Sequence, residues 1–371
     1  MDSISVLIVD DSVLMRNLVG RIIENTPGLE IADKAMNGMF ALEKIPKCNP
    51  DVIVLDIEMP VMNGIEFLKE RKKRGIDIPV IMLSSIAKEG SRVTMECLEL
   101  GAADFVTKPS GSDSPDIGNV AQRLVELIIG YGTKYALVHK NRHVSIPFPS
   151  LAEKGKTTGL LSKVEKKYAP VTPVRANGKI EIIAIGISTG GPNALREVFA
   201  KIDPNLEQPI VVVQHMPAGF TEEFARSLNQ ICPLEVREAK EGDIVKKGRI
   251  LIAPGNKHIV VERKPLATVV HLTDDDLCNG HRPSADVLFK SVAEQFQNRA
   301  LGVIMTGMGR DGAAQITEMR KQGAYTLGQD ENSSIVYGMP KVAFEMGGVQ
   351  KQVALSDMAD EISNLARLHA V

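Results

Sequence analysis

Glu181-Ile182-Ile183-Ala184-Ile185-Gly186-Ile187-Ser188-Thr189-Gly190-Gly191-Pro192 is an apolar run that stops at a glycine and continues into a serine and two more glycines. A short, continuous apolar run fits a strand buried on both faces. The glycines allow a sharp turn, and Asn193 to Ile202 then reads as a helix. Gly186 to Gly190 matches G-x-S-x-G, the pattern that sets a nucleophilic serine on a strand-to-helix turn. A helix cap explains the same serine. Its chemistry therefore depends on what the rest of the chain brings to it.

Downstream, the strand pattern recurs. Pro209 to Val213 is a second buried run, ending on Gln214-His215-Met216-Pro217. Arg249 to Ile252 ends at Ala253-Pro254-Gly255, and a helix introduced by His281-Arg282-Pro283-Ser284-Ala285-Asp286 extends through Glu294. Leu301 to Met305 ends on Thr306-Gly307-Met308-Gly309-Arg310-Asp311-Gly312. Strands alternating with helices imply parallel βαβ units, whose ligands sit beyond the carboxyl ends of the strands. Three strand ends then present Ser188, His215 and Asp311. A serine hydroxyl needs a base to become a nucleophile, histidine is the base that titrates near neutral pH, and a carboxylate fixes its tautomer. The glycine-rich turns leave backbone N–H groups free for an oxyanion. Each residue also has a plainer role, as helix caps for Ser188 and Asp311 and a hydrogen-bonded core imidazole for His215. His258, His271 and His281 are further histidines, and Met216 and Met308 read as packing residues. The order Ser, His, Asp differs from the Ser, Asp/Glu, His order of α/β-hydrolases, so the motif does not imply that fold.

At 371 residues the chain has room for two domains. A formal net charge of −2 argues against nucleic acid as a main partner. Cys48, Cys97, Cys232 and Cys278 are scattered, indicating neither a zinc site nor a disulfide framework. No apolar run approaches the ~20 residues of a membrane span. Asp2, Asp10 and Asp11 around the first apolar run are wrong for a signal peptide. A cytoplasmic protein without membrane insertion is expected.

The first third repeats the strand-end logic. Ile4 to Val9 ends on Asp10-Asp11, Asp51 to Leu55 on Asp56, Pro79 to Leu83 on Ser84-Ser85, and Asp104 to Thr107 on Lys108-Pro109. A weaker run spans Leu29 to Ala35. Clustered carboxylates repel unless a cation joins them, and hard oxygen ligands suit Mg²⁺. A carboxylate can accept a phosphoryl group, with Ser84 and Lys108 near its oxygens. Single strand-end aspartates are often only turn formers. With Met59-Pro60, Asn63-Gly64 and Lys108-Pro109, residues 1 to about 125 resemble a response-regulator receiver domain. That resemblance implies phosphorylation at Asp56, Mg²⁺ held by Asp10, Asp11 and Asp56, and switch positions at Ser84, Phe105 and Lys108. Phe105 stands where a tyrosine is commoner.

An amphipathic helix is expected over Asp116 to Ile129. The pattern then dissolves into a Pro-punctuated, Lys/Arg-rich linker up to Gly178. Beyond it, residues 180 to 369 resemble the catalytic domain of the chemotaxis protein-glutamate methylesterase (CheB) family. The motifs are Gly186 to Pro192, Gln214 to Pro217 and Met305 to Gly312, with Ala253-Pro254-Gly255, His258, Arg282-Pro283-Ser284 and Asp286. This resemblance implies a Ser188, His215, Asp311 triad, backbone oxyanion donors at Thr189 and Met308, and no cofactor for the hydrolase step. The substrates it implies are glutamate methyl esters and certain glutamines on chemoreceptors, with a chemotaxis histidine kinase as phosphodonor. In that family the unphosphorylated receiver covers the active-site face. The expected architecture is α/β throughout: a flavodoxin-like (βα)5 receiver (1–130), a linker (131–178) and a doubly wound, mainly parallel α/β catalytic domain (179–371). Two rivals fit less well. A DNA-binding output would need a helix-turn-helix and a basic domain, and a dinucleotide loop would need glycine at position 188.

Overall fold

The computed structural model describes residues 3–85, 88–108, 117–144, 146 and 171–370. The expected helix start at Asp116, Pro109, and linker residues 147–170 lie outside the described residues.

The first unit alternates strand and helix throughout: β1 (Ile4–Val9), α1 (Val13–Glu24), β2 (Leu29–Ala35), α2 (Gly38–Cys48), β3 (Val52–Asp56), α3 (Gly64–Lys73), β4 (Val80–Ser84), α4 (Lys88–Glu99), β5 (Asp104–Thr107) and α5 (Ile117–Lys140). The sheet order is β2-β1-β3-β4-β5, with every pair parallel. β3 and β4 are buried at every residue, as strands covered on both faces must be. Local chemistry sets the helix starts. Ser12 accepts from Met15 N–H at the head of α1, and Asn63 with Glu66 forms a capping box at the head of α3.

The second unit comprises β6 (Ile182–Ile187), α6 (Gly191–Lys201), β7 (Ile210–Gln214), α7 (Thr221–Asn229), β8 (Glu235–Glu238), β9 (Arg249–Ile252), β10 (His258–Arg263), β11 (Thr268–Thr273), α8 (Ala285–Phe296), β12 (Ala300–Ile304), α9 (Ala313–Lys321), β13 (Tyr325–Gln329), α10 (Met339–Glu345), β14 (Lys351–Val353) and α11 (Leu355–Leu368). Seven parallel strands run β14-β13-β12-β6-β7-β9-β8. β6 is the switch point: the chain winds from it toward β7 on one side and returns to β12 on the other. An antiparallel hairpin, β10-β11, stands apart from this sheet.

α5 runs through Lys140, ten residues beyond the expected receiver boundary at 130. Gly130 and Gly132, although glycine is a poor helix former, lie inside this helix as contact points. A Cβ on Gly132 would clash with Ile4 Cγ2, and one on Gly130 would lie 2.7 Å from Val336 Cγ2. Tyr131, between them, donates its hydroxyl to the Ala103 carbonyl at 2.7 Å.

The receiver packs on the second unit through α4, β5 and α5. Phe105 stacks on Phe220 with ring centroids 4.7 Å apart, inside one apolar cluster that runs across the boundary. Burying each ring contributes ~1.5–3 kcal/mol. Around this stack, Asn193 donates to the carbonyls of Ala102 (3.0 Å) and Ala103 (2.9 Å), and Ser227 donates to Glu99 (2.8 Å).

Candidate active site

The strand-end rule holds at the centre of the seven-stranded sheet. Ser188 follows β6, His215 follows β7, and Asp311 lies in the loop between β12 and α9. His215 Nδ1 is 3.0 Å from Ser188 Oγ, and His215 Nε2 is 2.8 Å from Asp311 Oδ2. The tautomer with hydrogen on Nε2 makes Nε2–H donate to Asp311 and leaves Nδ1 to accept from the serine hydroxyl. These separations suit proton transfer between a nucleophile, a base and an orienting carboxylate.

The backbone makes this approach possible. Gly190 takes φ 79°, the left-handed turn that ends the elbow before α6. Gly307 lies so close to the serine that a Cβ there would sit 2.7 Å from Ser188 Cβ. Gln214, fully buried, donates through Nε2 to the carbonyls of Ser188 and His215, each at 3.0 Å, tying the two turns together. Among the described residues, the backbone N–H groups of Thr189 and Met308 have no hydrogen-bond acceptor. The α6 N-terminus adds partial positive charge beside the serine.

Asp311 is densely supported. Oδ2 accepts from Ala285 N–H (2.6 Å) as well as from His215, while Oδ1 accepts from the Ser284 hydroxyl (2.6 Å), Asn279 Nδ2 (3.0 Å) and Asp286 N–H (3.3 Å). Burial pushes its carboxyl upward, but His215, Ser284 and Asn279 outweigh this and hold it well below the carboxylate range. His281 stacks on His215 with centroids 3.9 Å apart. Burial first, and then the charge of His215, push the His281 imidazole down to about 3, so it is neutral at pH 7.

The receiver lies over this cleft. Ser188 is only 3% exposed. Arg123 of α5 donates to the Thr189 hydroxyl and pairs with Asp104 (3.6 Å) and Glu126 (3.8 Å). Asp104, fully within the interface, accepts from Gly190 N–H at 3.1 Å. Burial raises the carboxyls of both Asp104 and Glu126. A cavity of about 200 Å³ remains between β5, α5 and the His215 turn.

At the other cleft, Asp10, Asp11 and Asp56 bring carboxylate oxygens within 4.8 Å of one another. Lys108 Nζ is 2.7 Å from Asp56 and 3.0 Å from Asp10. Asp10 Oδ2, the oxygen that faces Lys108, is buried and accepts no hydrogen bond. Three clustered carboxylates of hard oxygen atoms fit Mg²⁺. Burial raises Asp56 to about 6, against the pull of Lys108 and with the help of Asp10. The Ser84 hydroxyl faces Thr94 at 2.5 Å rather than Asp56.

The expected site residues thus form two clusters, with Phe105 in the contact between the domains. Sequence reasoning did not single out Arg123, Asp104, Gln214, Asn279 or the stacking role of His281. Only Asn279-Gly280 carried a local signal, as a hairpin turn.

Residues 183–362 match the family described as CheB methylesterase, and residues 6–115 match the response regulator receiver domain. The chain is 59% identical over 373 residues to a "Protein-glutamate methylesterase/protein-glutamine glutaminase" of Treponema denticola, covering 99% of each chain. It is 53% identical over 397 residues to a Treponema pallidum protein of the same name, covering 100% of this chain and 98% of that one. Among solved structures it is similar to the Thermotoga maritima CheB methylesterase catalytic domain, with 34% identity, coverage of 51% of this chain and 100% of that chain, and a TM-score of 0.49.

Proposed function

The chain belongs to the CheB methylesterase family, with a response-regulator receiver ahead of the esterase, and we propose that Ser188, His215 and Asp311 carry out its hydrolysis. Its activity is that of a phosphorylation-regulated protein-glutamate methylesterase and protein-glutamine glutaminase of chemotaxis. The observation that carries the triad is the unbroken chain from Ser188 Oγ through both His215 nitrogens to Asp311.

Ser188 Oγ attacks the ester carbonyl while His215 Nδ1 takes its proton. Asp311 holds Nε2–H and steadies the imidazolium. The Thr189 and Met308 N–H groups stabilise the tetrahedral oxyanion. His215 returns the proton to departing methanol, or to ammonia from a glutamine, leaving an acyl-enzyme. Water attacks this intermediate, His215 takes its proton, and Ser188 leaves reprotonated with the glutamate freed. The substrate residues are carried on methyl-accepting chemoreceptors in the cytoplasm.

Receiver control follows from position. Asp56 accepts the phosphoryl group from a chemotaxis histidine kinase, beside Lys108. Asp10, Asp11 and Asp56 would hold Mg²⁺, which neutralises charge during phosphoryl transfer. Ser84 and Phe105 couple that event to the interface, where Phe105 stacks on Phe220 and Arg123 grips Thr189. Undocking α5 uncovers Ser188. The proposed domain plan keeps the catalytic unit at 179–371 and counts α5 through Lys140 with the receiver.

The test is methanol release from methylated receptors. Ser188→Ala is expected to lose about 10⁶-fold in kcat, and retained activity would remove Ser188 from its role.

A further inference from the structure

The turn at 278–281 sits over the buried end of the triad. Cys278 and His281 exchange both backbone hydrogen bonds, at 3.1 and 3.0 Å, around Asn279 (φ 53°) and Gly280 (φ 80°). This is a two-residue turn with both central residues left-handed, the geometry that Asn-Gly favours. Turn preference explains an asparagine here, but not where its side chain goes. Nδ2 points inward and reaches two carboxylates, Asp311 Oδ1 at 3.0 Å and Asp286 Oδ2 at 2.7 Å.

Those two carboxylates are both buried, and they approach within 4.8 Å of each other. Like charges that close disfavour joint ionisation. Asp286 has one other oxygen, which accepts from Gln315 N–H at 2.9 Å. An amide NH₂ has two donors and no charge. Placed between two carboxylates, it gives one N–H to each and keeps them apart.

We infer that Asn279 is a positioning residue for the hydrolytic reaction: its amide bridges Asp286 and Asp311, so that Asp311 stays aimed at His215 and the negative charge of the carboxylate pair is offset. The inference rests on the triad reading above. Asn279 does not touch the serine or the oxyanion donors, so it acts through Asp311 alone. The titratable groups facing Asp311 are His215 after β7, Asp286 on α8, and Cys278 and His281 in the turn, with Arg123 and Glu126 of α5 facing the histidines from the receiver side.

Two substitutions separate this role from turn formation. Asn279→Gly keeps the left-handed backbone and removes the amide, while Asn279→Asp keeps the shape and the turn preference but supplies a carboxylate. The full chain is activated with acetyl phosphate and Mg²⁺, and methanol release from methylated receptors is followed against pH. Asn279→Gly is expected to lose about 10- to 100-fold in kcat with KM unchanged. Uncompensated negative charge beside Asp311 favours the imidazolium, so the acid limb of the kcat/KM profile moves to higher pH. Asn279→Asp moves it further. Wild-type kcat and acid limb in both variants would overturn the inference. So would a uniform loss at every pH with the acid limb in place, which marks a merely structural turn. Ser188→Ala, run alongside, distinguishes the two failures, because retained hydrolysis there breaks the triad reading instead.

Discussion

Two aspartates, Asp311 and Asp56, sit at matching places in their sheets and are treated in opposite ways. Asp56 is the last residue of β3 and Asp311 lies in the loop that follows β12, so each sits at the carboxyl end of a parallel strand, and both are buried. Asp311 receives five hydrogen bonds and is held well below the carboxylate range. Asp56 shares its cleft with Asp10 and Asp11, and burial first, then the charge of Asp10, raises it to about 6 against the pull of Lys108. The same fold position thus serves either a fixed charge or a charge that is to be changed. Donors surrounding a carboxylate suit the orienting role proposed for Asp311. Burial beside other acids suits the cation and phosphoryl group proposed for Asp56.

The largest expected effect tests the fixed side. Asp311→Asn keeps the shape but favours the wrong imidazole tautomer, and kcat for methanol release is expected to fall by about 10⁴-fold. A loss within about tenfold would mean that the carboxylate does not orient His215.

The interface comes next. Arg123 is the shared cation of Asp104, Glu126 and the Thr189 hydroxyl. Arg123→Ala leaves the buried Asp104 and the half-buried Glu126 without it, which weakens the docked state. The unphosphorylated methanol-release rate is expected to rise by up to about tenfold. An unchanged rate would mean that this contact does not hold α5 in place.

These interface residues also mark where the sequence stops being readable. The strand-end rule located Ser188, His215, Asp311, Asp10, Asp56 and Lys108, because buried strands write themselves as apolar runs and the polar residue after each run is conspicuous. Arg123 and Thr189 are 66 residues apart and belong to different domains. No periodicity couples them, and an arginine on an amphipathic helix looks solvated. The hairpin β10-β11 alternates too weakly to announce itself, with Val260 and Val269 only half-buried beside exposed Glu262. The continuation of α5 past Ile129 rests on close approach of its glycines to Ile4 and Val336, a tertiary reason that no local pattern carries.

The smallest effect tests the changeable side. Asp56 is raised in the folded chain from 3.8 to about 6, so protonation favours the folded state. Its contribution is fully present below about pH 4 and is lost as pH rises through about 6. Asp56→Asn is therefore expected to gain stability relative to the wild type across that window, as followed by urea denaturation at successive pH values. Parallel stability curves for the two proteins would contradict the raised carboxyl.

The cover over Ser188 joins the two halves of the comparison, and the rate at which a fluorophosphonate labels Ser188 reads it directly. Labelling is expected to be slow in the unphosphorylated chain, fast after acetyl phosphate and Mg²⁺, and slow under both conditions in Asp56→Asn, which keeps a low basal esterase activity. Equal labelling rates in all of these states, or acceleration of Asp56→Asn by the phosphodonor, would contradict the account.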